Sequence, residues 1–197
     1  MRPIRVCFTG ASGVGKTTLA RWVSEEFGVP FCPVTGRSVA LDMGYPSPYA
    51  AKLAGEHVQF YRRLVSVKHA WEAANRERGF AAERGYLDEL AYMGLHSPES
   101  VELGWFDEAY RWQRDYTHQF YLPRAWHQDL TDPMRKTDPG YHEFYEAMLE
   151  GLMGKLAGQL STAHVRTTTL PYGDLEVRKG VVAHKLREYR ASTEPRH

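Results

Sequence analysis

Little in this chain argues for an extracellular, membrane-bound or metal-built protein. Two cysteines in 197 residues, Cys7 and Cys32, are too few for a disulfide framework. Both sit in or beside apolar stretches and read as small buried hydrophobes in a reducing, cytoplasmic setting. No stretch approaches the roughly 18 apolar residues of a membrane helix. The opening MRPIRVCFTG is too short and wrongly punctuated for a secretion signal and reads as a first strand. The nine histidines show no His or Cys partner at metal-site spacing, which predicts no zinc. The net charge of +1 creates no global field toward nucleic acid or membrane. Internal repeats and low-complexity linkers are missing too.

What remains is an ordinary core-forming composition, 43% apolar and 25% charged, long enough for one domain. IRVCFTG (4–10) reads as a buried strand. Residues 16–27 carry Leu19, Ala20, Val23 and Phe27 at helical spacing, and Gly28 ends that helix. VPFCPV (29–34) reads as a short strand whose prolines place it at an edge or an early end. A turn-rich connection over 35–49 leads to a long helical pattern over 50–78, with Leu53, Phe60, Leu64, Val67 and Trp71 mostly on one side. A weak strand at 79–82 precedes helices over 86–96 and 105–116, the second with Trp105, Ala109 and Trp112 on one stripe. HQFYLP (118–123) is a fourth strand and 124–138 a polar, basic loop. Asp138-Pro139 opens a helix to about residue 160, with Phe144, Met148, Leu152 and Leu156 in register. A fifth strand and its turn (163–173) and a closing helix (174–190) follow. The expectation is therefore an α/β fold: one domain over 1–190 with a five-stranded parallel sheet covered by helices on both faces, a lid at about 124–138, and a flexible tail at 191–197.

Directly after the first strand stands GASGVGKT, residues 10–17, the pattern G-x-x-x-x-G-K-[ST] in a strand–loop–helix context. Gly10, Gly13 and Gly15 let the backbone, with Ala11, Ser12 and Val14 between them, curl its N–H groups inward around phosphate oxygens. The following helix adds the positive end of its dipole. Lys16 brings an ammonium to the β- and γ-phosphates, and Thr17 offers a hydroxyl to Mg²⁺. Thr18 reads either as an α-phosphate contact or as an ordinary helix N-terminal threonine. Kinases, motors and switch GTPases share this cradle. The chain has neither the DxxG nor the NKxD segment of a GTPase, and no four-residue apolar run before Asp-Glu as in a motor.

With the cradle in view, ERGYLDELAY (83–92) resembles the DRSxLDxxAY segment of P-loop nucleoside and nucleotide kinases, in particular ribosylnicotinamide-kinase-like ATPases, including phage-encoded members. DPMRKTDP (132–139) is similar to that group's lid, and GDLEVRKGVVAHKL (173–186) to its C-terminal strand-to-helix segment. The resemblance implies transfer of the γ-phosphoryl of ATP, with Mg²⁺, to a nucleoside-like acceptor. It places Glu83 at the end of a strand facing the acceptor, where it takes the acceptor's proton or holds Mg²⁺ through water. It gives Arg84 acceptor or phosphate oxygens, makes Asp88 a second acid, and makes Arg135 a lid arginine flanked by Arg124 and Lys136. It sets Arg178 against the adenine. Asp88 reads equally as an ordinary helix N-terminal acid, and Arg178 as a surface arginine.

Two departures stand out. The family's second strand commonly ends in a glutamate shortly before an arginine; here Val34, Thr35 and Gly36 precede Arg37, so the base role moves to Glu83, Asp42 or Asp88. The usual Asp-Arg pair is Glu83-Arg84. The acceptor pocket is expected to draw on Arg37, Asp42, Arg84 and Asp88, with Gln59, Arg62, Arg63 and Glu72 as further polar groups; Trp71, Tyr61 and Tyr92 could stack on a base, although aromatics at helical spacing more often belong to the core. Alternative acceptors remain: a hydroxymethylated pyrimidine within DNA, bound along Arg111, Arg114, Arg124 and Lys136 interleaved with Trp112, Tyr116 and Trp126, or none at all, as in a regulatory ATPase. A homodimer is admissible, and no membrane partner is expected.

Overall fold

Val6, Cys7, Phe8 and Thr9 have no exposed surface. Such a run suits a strand covered on both sides, as in parallel sheets. The computed structural model of the protein describes residues 2–124, 139–159 and 166–192. In them β1 (Arg5–Thr9) is followed by α1 (Lys16–Phe27), and then α2 (Gly36–Asp42), α3 (Pro48–Leu53) and α4 (His57–Ala74) lead to β2 (Phe80–Glu83). Next come α5 (Tyr86–His96), α6 (Leu103–Gln113) and β3 (His118–Tyr121), then α7 (Pro139–Gln159), β4 (Arg166–Thr169) and α8 (Leu175–Ala191). The strands pair in parallel in the order β2-β1-β3-β4.

That order matters for the site. From β1 the chain crosses to β2 on one side and later to β3 on the other, which creates a topological switch point at the carboxyl end of β1. Loops there diverge, and open α/β sheets bind ligands in the resulting crevice. The register sets Phe8 beside Glu83 on one side and Phe120 on the other.

Side-chain alternation divides the two layers. Phe8 stacks on Phe120, which stacks on His118, and His118 meets Tyr189 of α8. α8 also joins α1, where Arg190 lies over Phe27 and Arg187 pairs with Glu26. Cys7 faces the opposite way, toward Gly85 and Tyr116. On that face α5 packs among α4, α6 and α7, and its residues Tyr86 to Met93 are all buried. The first turn of α5 is therefore inside the protein, at the carboxyl edge of the sheet.

Several expectations are corrected. Among the described residues the sheet has four strands, not five, because 29–34 contributes only an isolated bridge between Phe31 and Ala81. Pro30 and Pro33 lack the N–H groups that would extend that ladder. The 35–49 connection contains α2, started by a reciprocal cap in which Thr35 and Ser38 bond each other's backbone. The 50–78 pattern is two helices: α3 ends at Leu53, capped by Ala54, and Gly55 at φ 79° turns the chain into α4. Leu53 and Phe144 are exposed, and the stripe of α7 is instead Tyr145, Leu149, Leu152 and Leu156. On α4 the stripe Phe60, Leu64 continues into Lys68 and Glu72, both buried. Glu72 accepts from Trp112 Nε1 (2.6 Å) and from the Tyr116 hydroxyl (3.0 Å). Among the described residues no helix is long and apolar enough to cross a membrane.

Candidate functional site

The loop after β1 bends through three left-handed glycines, Gly10, Gly13 and Gly15, at φ 134°, 85° and 96°. At Gly10 two constraints meet. A Cβ there would lie 2.4 Å from the Leu122 carbonyl oxygen, on top of the unfavourable φ. Gly10→Ala is accordingly expected to cost about 2 kcal/mol of stability, read as a lowered denaturation midpoint, and to weaken nucleotide binding by spreading the loop from the end of β3.

α1 starts at Lys16 with no side chain capping its first turn, so its leading N–H groups face the loop's concave side. Lys16 is buried, and its ammonium donates to the Ala11 carbonyl inside the loop. Thr17 donates its hydroxyl to Glu83 Oε2, which joins the expected metal pair across the switch point. Burial works to raise the Glu83 pKa, but the Thr17 bond and the charges of Arg84, Lys16 and Lys68 outweigh it and hold the carboxyl below its usual range. A hydroxyl and an ionised carboxylate are hard oxygen donors of the kind Mg²⁺ takes. Among the described residues no cluster of three His, Cys, Asp or Glu could hold a metal, so phosphate oxygens and water would complete such a site. Thr18 is exposed.

Arg84 has φ 61° and no glycine to excuse it. Its own N–H donates to the Phe8 carbonyl (2.7 Å), and the buried ammonium of Lys68 donates to the carbonyl of Glu83. These bonds hold a strained peptide whose purpose is visible at the other end of the side chain. The Arg84 guanidinium donates to Ser12 Oγ in the cradle (2.9 Å) and to the Tyr92 hydroxyl (3.1 Å), and lies 4.8 Å from the centre of the Tyr92 ring.

Asp88 is completely buried, and both its oxygens are bonded to protein donors. Oδ2 accepts from Thr9 Oγ1 (2.5 Å) and Gly85 N (2.9 Å), Oδ1 from Gly10 N (3.3 Å) and the Tyr145 hydroxyl (2.8 Å). It ties the cradle to α5 and α7 and has no oxygen directed at an acceptor, unlike the expectation. Arg178 also serves the cradle: it donates to the Val14 carbonyl (2.7 Å) and the Pro171 carbonyl (3.0 Å), so its guanidinium braces the loop instead of lying as a surface group.

Other expected groups lie elsewhere. Arg37 and Asp42 are exposed on α2, which packs on α3 and α4. Arg62 pairs with Glu102 and lies over Trp105, and with Ser66, His69, Tyr86 and Glu108 it lines a cavity of about 510 Å³ between α4 and α6 whose lining includes no cradle residue. Glu72 is enclosed with Trp112 and Tyr116, so these two aromatics belong to the core and not to a basic surface stripe. Trp71 packs on Phe80, Tyr61 bonds His96 Nδ1 (2.9 Å), and Tyr92 stacks on Tyr145 at 4.2 Å. Arg124 donates its backbone N–H to Glu146; Trp126, Arg135 and Lys136 lie outside the described residues.

Three groups escaped the sequence reading: Lys68, Tyr145 and Glu89. Lys68 had a signal, a charge continuing an apolar stripe. Glu89, in the first turn of α5, is 4% exposed, and among the described residues no group donates a hydrogen bond to it.

A family model described as an AAA domain matches residues 5–178. No curated protein matches the chain. Among solved structures the chain is similar to deoxyadenosine kinase from M. mycoides, at 12% identity and TM-score 0.61 over 94% of this chain and all of that one. It is similar to shikimate kinase from Acinetobacter baumannii, at 16% identity and TM-score 0.59 over 98% of this chain and 96% of that one. A third likeness is to NadR protein in complex with NR, at 16% identity and TM-score 0.63, over 98% of this chain but 52% of that one. These likenesses establish the α/β fold shared with P-loop kinases.

Proposed function

This chain belongs to the AAA domain family, and from that premise we propose that it is an ATP- and Mg²⁺-dependent phosphotransferase acting on a nucleoside-like acceptor. The observation that carries the reading is the junction at the switch point: cradle, Thr17–Glu83 pair and strained Arg84 meet at one sheet edge. Its counterparts in fold are deoxyadenosine kinase, shikimate kinase and NadR.

In this reading the N–H groups around Gly10 to Thr18 bind the triphosphate, and Lys16 leaves the Ala11 carbonyl for the β- and γ-oxygens. Thr17 and Glu83 would hold Mg²⁺, which neutralises phosphate charge when bound. Arg84 spreads the charge that develops on the transferring group while Ser12 and Tyr92 fix its plane. Arg178 acts on the nucleotide indirectly, through Val14. Arg135 has the lid role, and a homodimer and a cytoplasmic location, in keeping with two free buried cysteines, complete the reading.

The test is direct. γ-Labelled ATP is incubated with nucleosides, their monophosphates and hydroxymethyluracil-containing DNA. Label is expected in a small acceptor. Label in the DNA alone would make the polymer the substrate, and label appearing solely as inorganic phosphate would make the protein an ATPase without acceptor.

A further inference from the structure

Three acids considered as the acceptor's base are each accounted for. Asp88 is saturated by four protein donors, Asp42 is exposed on α2, and Glu83 is engaged by Thr17. One carboxylate at this edge has no such engagement. Glu89 sits one residue past Asp88 on a buried helix, turned about 100° from it, with no hydrogen-bond donor among the described residues. What little of Glu89 is exposed includes its carboxylate oxygens, so the group is free of protein donors and open to a ligand that supplies one.

We propose that Glu89 is the catalytic residue that takes the acceptor's proton, and that the acceptor accordingly presents an alcohol hydroxyl and not a phosphate oxygen. This rests on the phosphotransferase reading. As the hydroxyl oxygen bonds to the γ-phosphorus, the bond from that phosphorus to the β,γ-bridging oxygen breaks. The bond's electron pair leaves on ADP, and the hydroxyl proton passes to a Glu89 oxygen and then to solvent.

The surroundings of Glu89 support this choice. Arg84 from the β2–α5 turn, Lys68 and Tyr61 from α4, Asp88 and Tyr92 from α5, and Glu83 from β2 all feel its charge. From the other packed helices, Glu108 of α6 is turned to Tyr86, Tyr145 of α7 to Asp88 and Tyr141 to His96. Burial pushes the carboxyl up; Arg84 and Lys68 pull it down and Asp88 and Glu83 push it up again, leaving it at about 7, poised to exchange a proton near neutrality. A phosphate oxygen is already ionised near neutrality and needs no base, whereas a hydroxyl must lose its proton, and Glu89 offers the oxygen that takes it.

The experiment compares the intact protein with its Glu89→Gln and Glu89→Asp variants from roughly pH 5.5 to 9, using γ-labelled ATP and nucleosides or their 5′-monophosphates as acceptors. Affinity for ATP is followed in parallel. The wild type is expected to label nucleosides, with kcat/KM rising along a limb centred near 7. Glu89→Gln is expected to lose about 100-fold in kcat/KM at high pH and to lose the limb, with ATP affinity within about twofold. Glu89→Asp is expected to restore part of the rate with a displaced limb. Should Glu89→Gln fail to bind ATP, the displaced limb of Glu89→Asp decides alone, and an undisplaced one overturns the proposal. Label on monophosphates only, or a Gln variant with the wild-type rate and limb, overturns the Glu89 assignment while leaving the kinase reading standing. A wild type that yields only inorganic phosphate overturns both.

Discussion

Replacing Lys16 with alanine is expected to lower phosphoryl transfer by on the order of 1,000-fold, equivalent to about 4 kcal/mol of transition-state stabilisation, while leaving the fold in place. The two halves of that expectation have separate causes. In the folded protein the ammonium is buried and donates to the Ala11 carbonyl, inside the loop itself. Removing it takes away a buried charge together with its donors, two effects of opposite sign, so stability changes by about 1 kcal/mol. In the proposed transfer the same ammonium would answer charge that grows on the γ-phosphoryl and the leaving oxygen, in a site where Glu83 already feels its charge. No other cation begins the helix: Thr17 and Thr18 are neutral, and Arg178 is committed to Val14 and Pro171. The measurement is kcat and the ATP Kd together with a thermal melt. A loss confined to Kd would make Lys16 a ground-state anchor, and full activity would remove the cradle from the mechanism.

The cradle was legible because its requirements are local. Glycine spacing, a β-rich run before it and an amphipathic run after it lie within 24 residues, and α1 begins and ends where Lys16 and Gly28 predict. α5 over Tyr86–His96 was legible for the same reason. Legibility failed where geometry overruled local pattern. The strand expected at 29–34 reduces to a bridge because its prolines cannot donate, and the long helix breaks where Gly55 turns left-handed. It failed again at the site's long-range partners. Nothing near Asp88 in sequence announces Tyr145, 57 positions away, and nothing near Glu83 announces Lys68 beneath its carbonyl. Asp88 is plain in the sequence as an acid, but the difference between an acid that reacts and an acid that holds lies in what surrounds it.

That difference makes the second large effect a structural one: Asp88→Ala is expected to destabilise the protein by about 4 kcal/mol, visible as a large drop in the denaturation midpoint. The carboxylate gathers the Gly10 and Gly85 backbone N–H groups and the Thr9 and Tyr145 hydroxyls at a fully buried point. Alanine strands these donors without water. An unpaired buried donor costs roughly 1–3 kcal/mol, so even with relief from burying a charge the balance is strongly negative. Tyr145→Phe removes one donor and leaves the carboxylate three, and is expected to cost about 1 kcal/mol. Asp88→Asn keeps the shape but turns an amide toward donors, so it should resemble alanine more than wild type. If Asp88 were instead the reacting acid, Asp88→Asn would abolish transfer with an unchanged melt. The denaturation midpoint of that single variant separates a post that holds the cradle against α5 and α7 from a group that meets the acceptor.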